Sequence, residues 1–126
     1  KDLVDQFNSA AGRDLDRTGQ LTVCYAESRQ QALSTAFEWW PNATISGELS
    51  QELRTPTHFE QVLQMVTKDD MPSDIVLGND VDEYLASIQE FLDAGFTRVY
   101  IHQIGPDQEG FFEFFENSLN AELEEL

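Results

Sequence analysis

Residues Arg98–Phe115 read RVYIHQIGPDQEGFFEFF. Val99, Tyr100 and Ile101 predict a buried strand that runs out through His102-Gln103-Ile104, turns at Gly105-Pro106 and enters an aromatic-rich helix. A strand, a short polar turn at its carboxyl end and a helix make half of a βαβ unit, and ligands gather at this turn in such architectures. Any functional edge of the chain is expected there.

Working back from that strand (residues 98–103), Val81, Tyr84, Leu85, Ile88, Phe91 and Leu92 form an amphipathic helix stripe that Gly95 ends. Before it, Ile75-Val76-Leu77 predicts a short buried strand over 74–78, leading into Gly78-Asn79-Asp80. A third strand is expected over 21–26, where Leu21-Thr22-Val23-Cys24-Tyr25-Ala26 is apolar and β-branched, after a polar loop from Arg13 to Gly19. Between these two strands, Ser28 caps a helix with Ala32, Leu33, Ala36, Phe37 and Trp40 on one face, closed by Pro41. Residues 42–54 have no period and read as an excursion; Thr55-Pro56 then opens a helix with the stripe Phe59, Val62, Leu63 and Val66. Helices also bracket the chain. Leu3, Val4, Phe7, Ala10 and Ala11 mark the first, and Phe111, Phe112, Phe115, Leu119 and Leu123 are expected to face inward from the last, which ends in an acidic tail, Glu122 to Glu125.

The order α-β-α-α-β-α-β-α predicts an α/β fold of parallel strands joined by right-handed crossovers. Continuous apolar strands fit a sheet with both faces covered. Three such strands leave two unpaired edges and a face with nothing across it, so the chain reads as part of something larger. An opening helix with no strand before it, and a start at Lys1 instead of Met, point the same way.

The chain has 126 residues, enough for one domain, and carries 24 Asp+Glu against 7 Lys+Arg for a formal charge of −17. Such a surface repels nucleic acid and anionic membrane, which are excluded as partners. Self-repulsion opposes compaction in dilute buffer, whereas at molar salt the Debye length falls to about 3 Å and the penalty fades. A halophile's cytoplasm fits this balance; an acidic mesophilic protein with a basic partner is the alternative. Disorder is excluded because 40% of the residues are hydrophobic, nine of them Phe and two Trp. Cys24 is alone, so it forms no intrachain disulfide and reads as a small core residue in a reducing compartment. No apolar run reaches the length of a membrane span or a signal-peptide core.

Three segments resemble one known family: GELSQEL with TPTHFEQ (Gly47 to Gln61), IVLGNDVDEY (Ile75 to Tyr84) and DAGFTRVYIHQIGPDQEGFFEFF (Asp93 to Phe115). They are similar to the carboxyl-terminal part of the luciferase-like flavin and deazaflavin oxidoreductases, in the branch of coenzyme F420-dependent enzymes that includes the F420-dependent glucose-6-phosphate dehydrogenases. The resemblance implies a (β/α)8 TIM barrel, of which this chain would supply strands six, seven and eight with their helices. It implies coenzyme F420 as cofactor, with FMN as the alternative, and a small-molecule substrate. It also implies that the acid/base groups lie in an amino-terminal half outside this sequence, so no catalytic residue is expected here and the chain alone should be inactive. A homo-oligomer, or association with that missing half, would cover the open edges; a stand-alone, non-enzymatic half-barrel is the other reading. The family's phosphate-holding basic residues match Ser50 and Asp74 here, and a carboxylate repels a phosphate dianion. Glucose 6-phosphate is therefore a poor substrate expectation.

Several residues then read as candidate contacts. His102 and Gln103, at the carboxyl end of the last strand, are placed either to hydrogen-bond cofactor or substrate or to be satisfied by nearby backbone. Gly78 and Asn79 form the corresponding turn after the preceding strand, where close backbone approach to a ligand and a plain turn before a helix need the same residues. Ser50 and Gln51, in the excursion, and Asp74 would edge the substrate pocket if the resemblance holds. Asp107 reads as the cap of the last helix. Trp39-Trp40 reads as core or interface. His58 and His102 have no metal-ligand spacing, so no metal site is expected.

Overall fold

The computed structural model describes residues 2–13, 15–45 and 47–124. Asp14 and Ser46, within the polar loop and the excursion, and Glu125 of the acidic tail lie outside them. In chain order the elements are α1 (Asp2–Ala11), β1 (Thr18–Cys24), α2 (Arg29–Trp39), α3 (Leu49–Glu52), α4 (Pro56–Leu63), β2 (Val76–Leu77), α5 (Val81–Ala94), β3 (Arg98–Gln103), α6 (Gln108–Phe114), a π-helical turn (Phe115–Leu119) and α7 (Asn120–Leu123).

The strands are parallel and form one open sheet in the order β2-β1-β3. β3 pairs along β1 from Thr18↔Arg98 to Val23↔Gln103, while β2 meets the other edge of β1 only at Val23↔Val76 and Cys24↔Leu77. Parallel strands with helices between them are the partial-barrel architecture expected; within the sheet β1 is the central strand, and α5 is the crossover helix that leads into β3.

Strand limits also differ from the reading. β1 runs Thr18–Cys24 instead of 21–26, because the backbone of Thr18-Gly19-Gln20, poor in apolar side chains, pairs with Arg98–Tyr100. β2 is reduced to Val76–Leu77 because only the carboxyl end of β1 is offered to it.

Once β1 starts at Thr18, its side chains alternate. Gly19, Leu21 and Val23 are buried, whereas Thr18 and Gln20 are exposed and Thr22 is half-buried. The buried face packs Leu21 and Val23 on Tyr84 and Ile88 of α5, Phe111 of α6 and Leu119 of the π turn. Among the described residues the other face is covered at its carboxyl end, where Cys24 and Ala26 meet Ala32 and Ala36 of α2, with Leu77 and Ile104. Below that roof the sheet presents Thr18, Gln20 and Thr22 beside Arg98, Tyr100 and His102, a polar row in place of the expected second apolar face.

Local chemistry sets the helix ends. Ser28 Oγ accepts from Gln31 N, Thr55 Oγ1 from His58 N, Asp80 Oδ1 from Asp82 N and Asp107 Oδ1 from Gly110 N. Gly95, at φ 95°, ends α5, and Arg17 Nε donates to its carbonyl at 2.7 Å, a cation at a helix carboxyl terminus. One inward expectation fails: Phe112 is 60% exposed. Trp39 and Trp40, read as core or interface, lie outside the core, and in α1 Val4 is buried while Leu3 and Phe7 are exposed.

Candidate functional site

The carboxyl ends of β1 and β3 converge through one side chain. Gln103 Oε1 accepts from Tyr25 N at 2.9 Å, extending the ladder beyond the last strand pair, and Gln103 Nε2 donates to the Asp107 carbonyl at 3.4 Å. Gln108 Nε2 donates to the carbonyls of Gln103 and Gly105. Gln103 is thus held by the turn it sits in, and its amide ties β1 to the start of α6. A small cavity of about 180 Å³ lies beside this turn, bordered by Tyr25, Glu27, Gln31, Thr35, Pro106 and Asp107.

Gly78 plays a comparable part on the other side of β1. Its N–H donates to the Cys24 carbonyl at 2.9 Å, its carbonyl accepts from Tyr84 Oη at 3.0 Å, and at φ 101° a Cβ would come within 3.2 Å of Arg29 N. The position needs glycine for packing against the start of α2. Asn79 is exposed beside the Asp80 cap. Arg29, the cation at this end of the sheet, is paired with Glu83 at 2.7 Å.

His102 faces the other way, onto the polar row. Its ring meets Trp40 edge to face, centroids 5.3 Å apart and planes at 82°, and its Nδ1 lies 3.4 Å from Gln20 Nε2 across the strand pair. Trp40, just past α2, hangs from the roof over this row. Gln20, Thr22 and Trp40 also border a cavity of about 450 Å³ along the edge of β1 that β2 leaves unpaired; Asp74, Ser73 and Glu90 line it too. The volume lies within the range of roughly 300–1,000 Å³ typical of small-ligand sites. Among the described residues no Lys, Arg or His side chain lines it.

Asp74 shares this cavity with Gln20 and Trp40, and His102, which is not among its lining residues, touches those same two side chains. Ser50 and Gln51 lie on α3, where Ser50 Oγ donates to the Gly47 carbonyl at 2.8 Å, and neither lines these two cavities. Gln20 and Trp40 were not read as site residues. The signal for Gln20 is the alternation of Thr18, Gln20 and Thr22 with Gly19, Leu21 and Val23, a period of two hidden by its small and polar start.

Burial pushes the Cys24 thiol up to about 11, so it stays protonated and unreactive at neutral pH, and burial likewise raises Tyr84, whose phenol remains a donor to Gly78. Among the described residues no group of three or more His, Cys, Asp or Glu is placed to hold a metal ion, and no helix is long and apolar enough to cross a membrane.

No family model matches the chain. Curated relatives do match it. An F420-dependent glucose-6-phosphate dehydrogenase of Amycolatopsis mediterranei is 27% identical over 113 residues, spanning 90% of this chain and 34% of the relative. Proteins of the same description from Mycolicibacterium gilvum and Rhodococcus jostii are 25% and 23% identical, over 93% and 98% of this chain but 35% and 37% of their own lengths. The chain thus spans about a third of the curated relatives it matches. Among solved structures, an F420-dependent secondary alcohol dehydrogenase in complex with an F420-acetone adduct superposes with a TM-score of 0.69 at 16% identity, over 93% of this chain and 36% of that one. The likeness is one of fold: three parallel strands with flanking helices match part of a TIM barrel.

Proposed function

We propose, from the premise that this chain corresponds to part of an F420-dependent dehydrogenase, that it forms one wall of the pocket in which such an enzyme transfers hydride between a substrate carbon and the deazaflavin. The observation that carries this reading is the match of nine-tenths of the chain to a third of those dehydrogenases, with His102 and Trp40 meeting on the uncovered sheet face. The cofactor supplies the redox chemistry when bound, and the residues here bind and orient. The groups present suit a planar polar ring: Trp40 offers an aromatic surface, and Gln20, Thr22 and His102 offer hydrogen-bonding groups. F420 is preferred to FMN because the relatives are F420-dependent. His102 remains the contact residue of choice, and Gly78, Asn79 and Gln103 act by shaping the strand ends; Ser50 and Gln51, which line neither cavity, take no ligand contact in this reading.

The substrate in this reading is a neutral alcohol or ketone. Asp74 and Glu90 line the larger cavity with no cation opposite, which disfavours a phosphorylated sugar. Titrating coenzyme F420 with the polypeptide as its gene encodes it, followed by fluorescence anisotropy, is expected to saturate. Reduction of bound F420 should then depend on a secondary alcohol and not on glucose 6-phosphate. A flat titration would overturn the reading.

Association belongs to the same proposal. The outer edge of β3 is unpaired among the described residues, and an apolar groove beside it, formed by Val99, Tyr100, Ile101, Phe111, Phe112 and Phe115, leaves Tyr100 65% exposed. The rest of a barrel, or a second copy, would cover it. The −17 charge further favours a salt-rich cytoplasm. Raising KCl from about 0.1 M to about 1 M should raise the thermal unfolding midpoint, as the Debye length falls from about 10 to about 3 Å. An unchanged or lowered midpoint removes the halophilic part of the reading.

A further inference from the structure

Two contacts within the polar row set how His102 is presented. Gln20 reaches diagonally across the β1–β3 ladder to His102, and it is Gln20 Nε2 that approaches His102 Nδ1, at 3.4 Å. An amide nitrogen only donates, so with the Gln20 amide in this orientation Nδ1 is the acceptor, and the pairing is matched by the imidazole tautomer protonated at Nε2. The Trp40 edge-to-face contact fixes the ring plane, with centroids 5.3 Å apart. On the opposite face of the sheet Leu21 and Val23 are sealed under α5 and α6, whereas the Gln20 side is open to solvent below α2.

We propose that Gln20 is a positioning residue: it holds His102 in the tautomer protonated at Nε2, so that the ring, steadied by Trp40, offers a neutral N–H donor to a carbonyl or hydroxyl oxygen of the bound ligand. The assignment of a ligand rests on the oxidoreductase reading; the tautomer does not. A row built only to be solvated would need neither the amide pairing nor the tryptophan, and an imidazole free to exchange tautomers would present a donor only part of the time. The acceptor oxygen belongs either to the deazaflavin or to the substrate, and both present the same chemistry to Nε2–H.

The test begins without ligand. Long-range ¹H–¹⁵N spectra of the polypeptide as encoded, labelled at histidine, are expected to show His102 as the Nε2–H tautomer at a pH where the ring is neutral. Gln20→Leu should convert it to a mixture, and Gln20→Glu, whose carboxylate only accepts, should favour Nδ1–H. An Nδ1–H ring in the parent, or a ring unmoved by Gln20→Leu in a variant that keeps its unfolding midpoint, overturns the proposal. Ligand measurements then locate the acceptor. If His102→Ala weakens F420 binding about tenfold, the oxygen is the deazaflavin's; if F420 binding holds and KM for the alcohol rises about tenfold, it is the substrate's. If neither moves in a folded variant that binds F420, the donor role is refuted. A parent polypeptide that binds no F420 but keeps the tautomer pattern defeats the oxidoreductase reading and leaves the Gln20–His102 pairing standing.

Discussion

Gly19→Val is expected to destabilise the fold by about 3 kcal/mol, the upper part of the range for forcing bulk into a packed site. Gly19 is absent from the glycines with positive φ, so its backbone would accept another residue. The obstacle is steric. A Cβ built there falls 2.4 Å from Phe91 Cδ1 and 2.5 Å from Cε1, and Phe91 is held edge to face against Phe96 with centroids 5.3 Å apart. The β-branched side chain gains at most about 1 kcal/mol in strand preference, which the clash outweighs. Phe91 also lines the larger cavity, so pushing its ring aside should disturb the wall beside Gln20 and Thr22 as well as the core. Urea unfolding of Gly19→Val, Phe91→Leu and the double variant checks the mechanism. Coupling should be favourable, with the second change restoring part of the first loss; strict additivity would show that the close approach of α5 to β1 is not what excludes a side chain.

The features legible in the sequence were those set by neighbours in the chain. Ser28, Thr55, Asp80 and Asp107 cap helices because the bond each accepts is two or three residues away, and Gly95 ends α5 because its φ of 95° is a local requirement. The parallel α/β character was legible too, since alternating strands and long helices leave little else. Pairing was not. That β1 lies between β2 and β3 depends on which edges meet, and Thr18-Gly19-Gln20 joins the ladder only because Arg98–Tyr100 lies alongside. The same non-local fact hid the candidate site: Gln20 and His102 are 82 residues apart, and only the β1–β3 register brings them within 3.4 Å. Trp40 shows the same limit. Its place at the end of an apolar stripe says that it packs on something, and its ring partner, His102, stands on a strand that meets it only through the tertiary fold.

Leu119→Ala is expected to cost about 2–5 kcal/mol, and Phe112→Ala less than about 1 kcal/mol, although both belong to one apolar stripe in the sequence. Read as a continuous α-helix, residues 111, 112, 115, 119 and 123 share a face. The chain instead makes a π-helical turn over Phe115–Leu119, whose i→i+5 spacing relates Leu119 to Phe114. Phe114 then packs against Tyr84 and Tyr25, with centroids 5.2 and 5.4 Å away, and Leu119 closes the same cluster with no exposed surface. Truncating it leaves a void between α5 and the sheet that the surrounding rings are too rigid to fill. Phe112 points away from that cluster, 60% exposed along the groove beside β3, so its removal takes little from the folded monomer. Equilibrium unfolding of the two variants in high KCl separates the cases. Equal losses would mean that the stripe packs as a plain helix and that the π turn is absent. If instead Phe112→Ala leaves stability intact but weakens self-association or reassembly with the rest of a barrel, the exposed ring belongs to the contact that covers the open edge of β3.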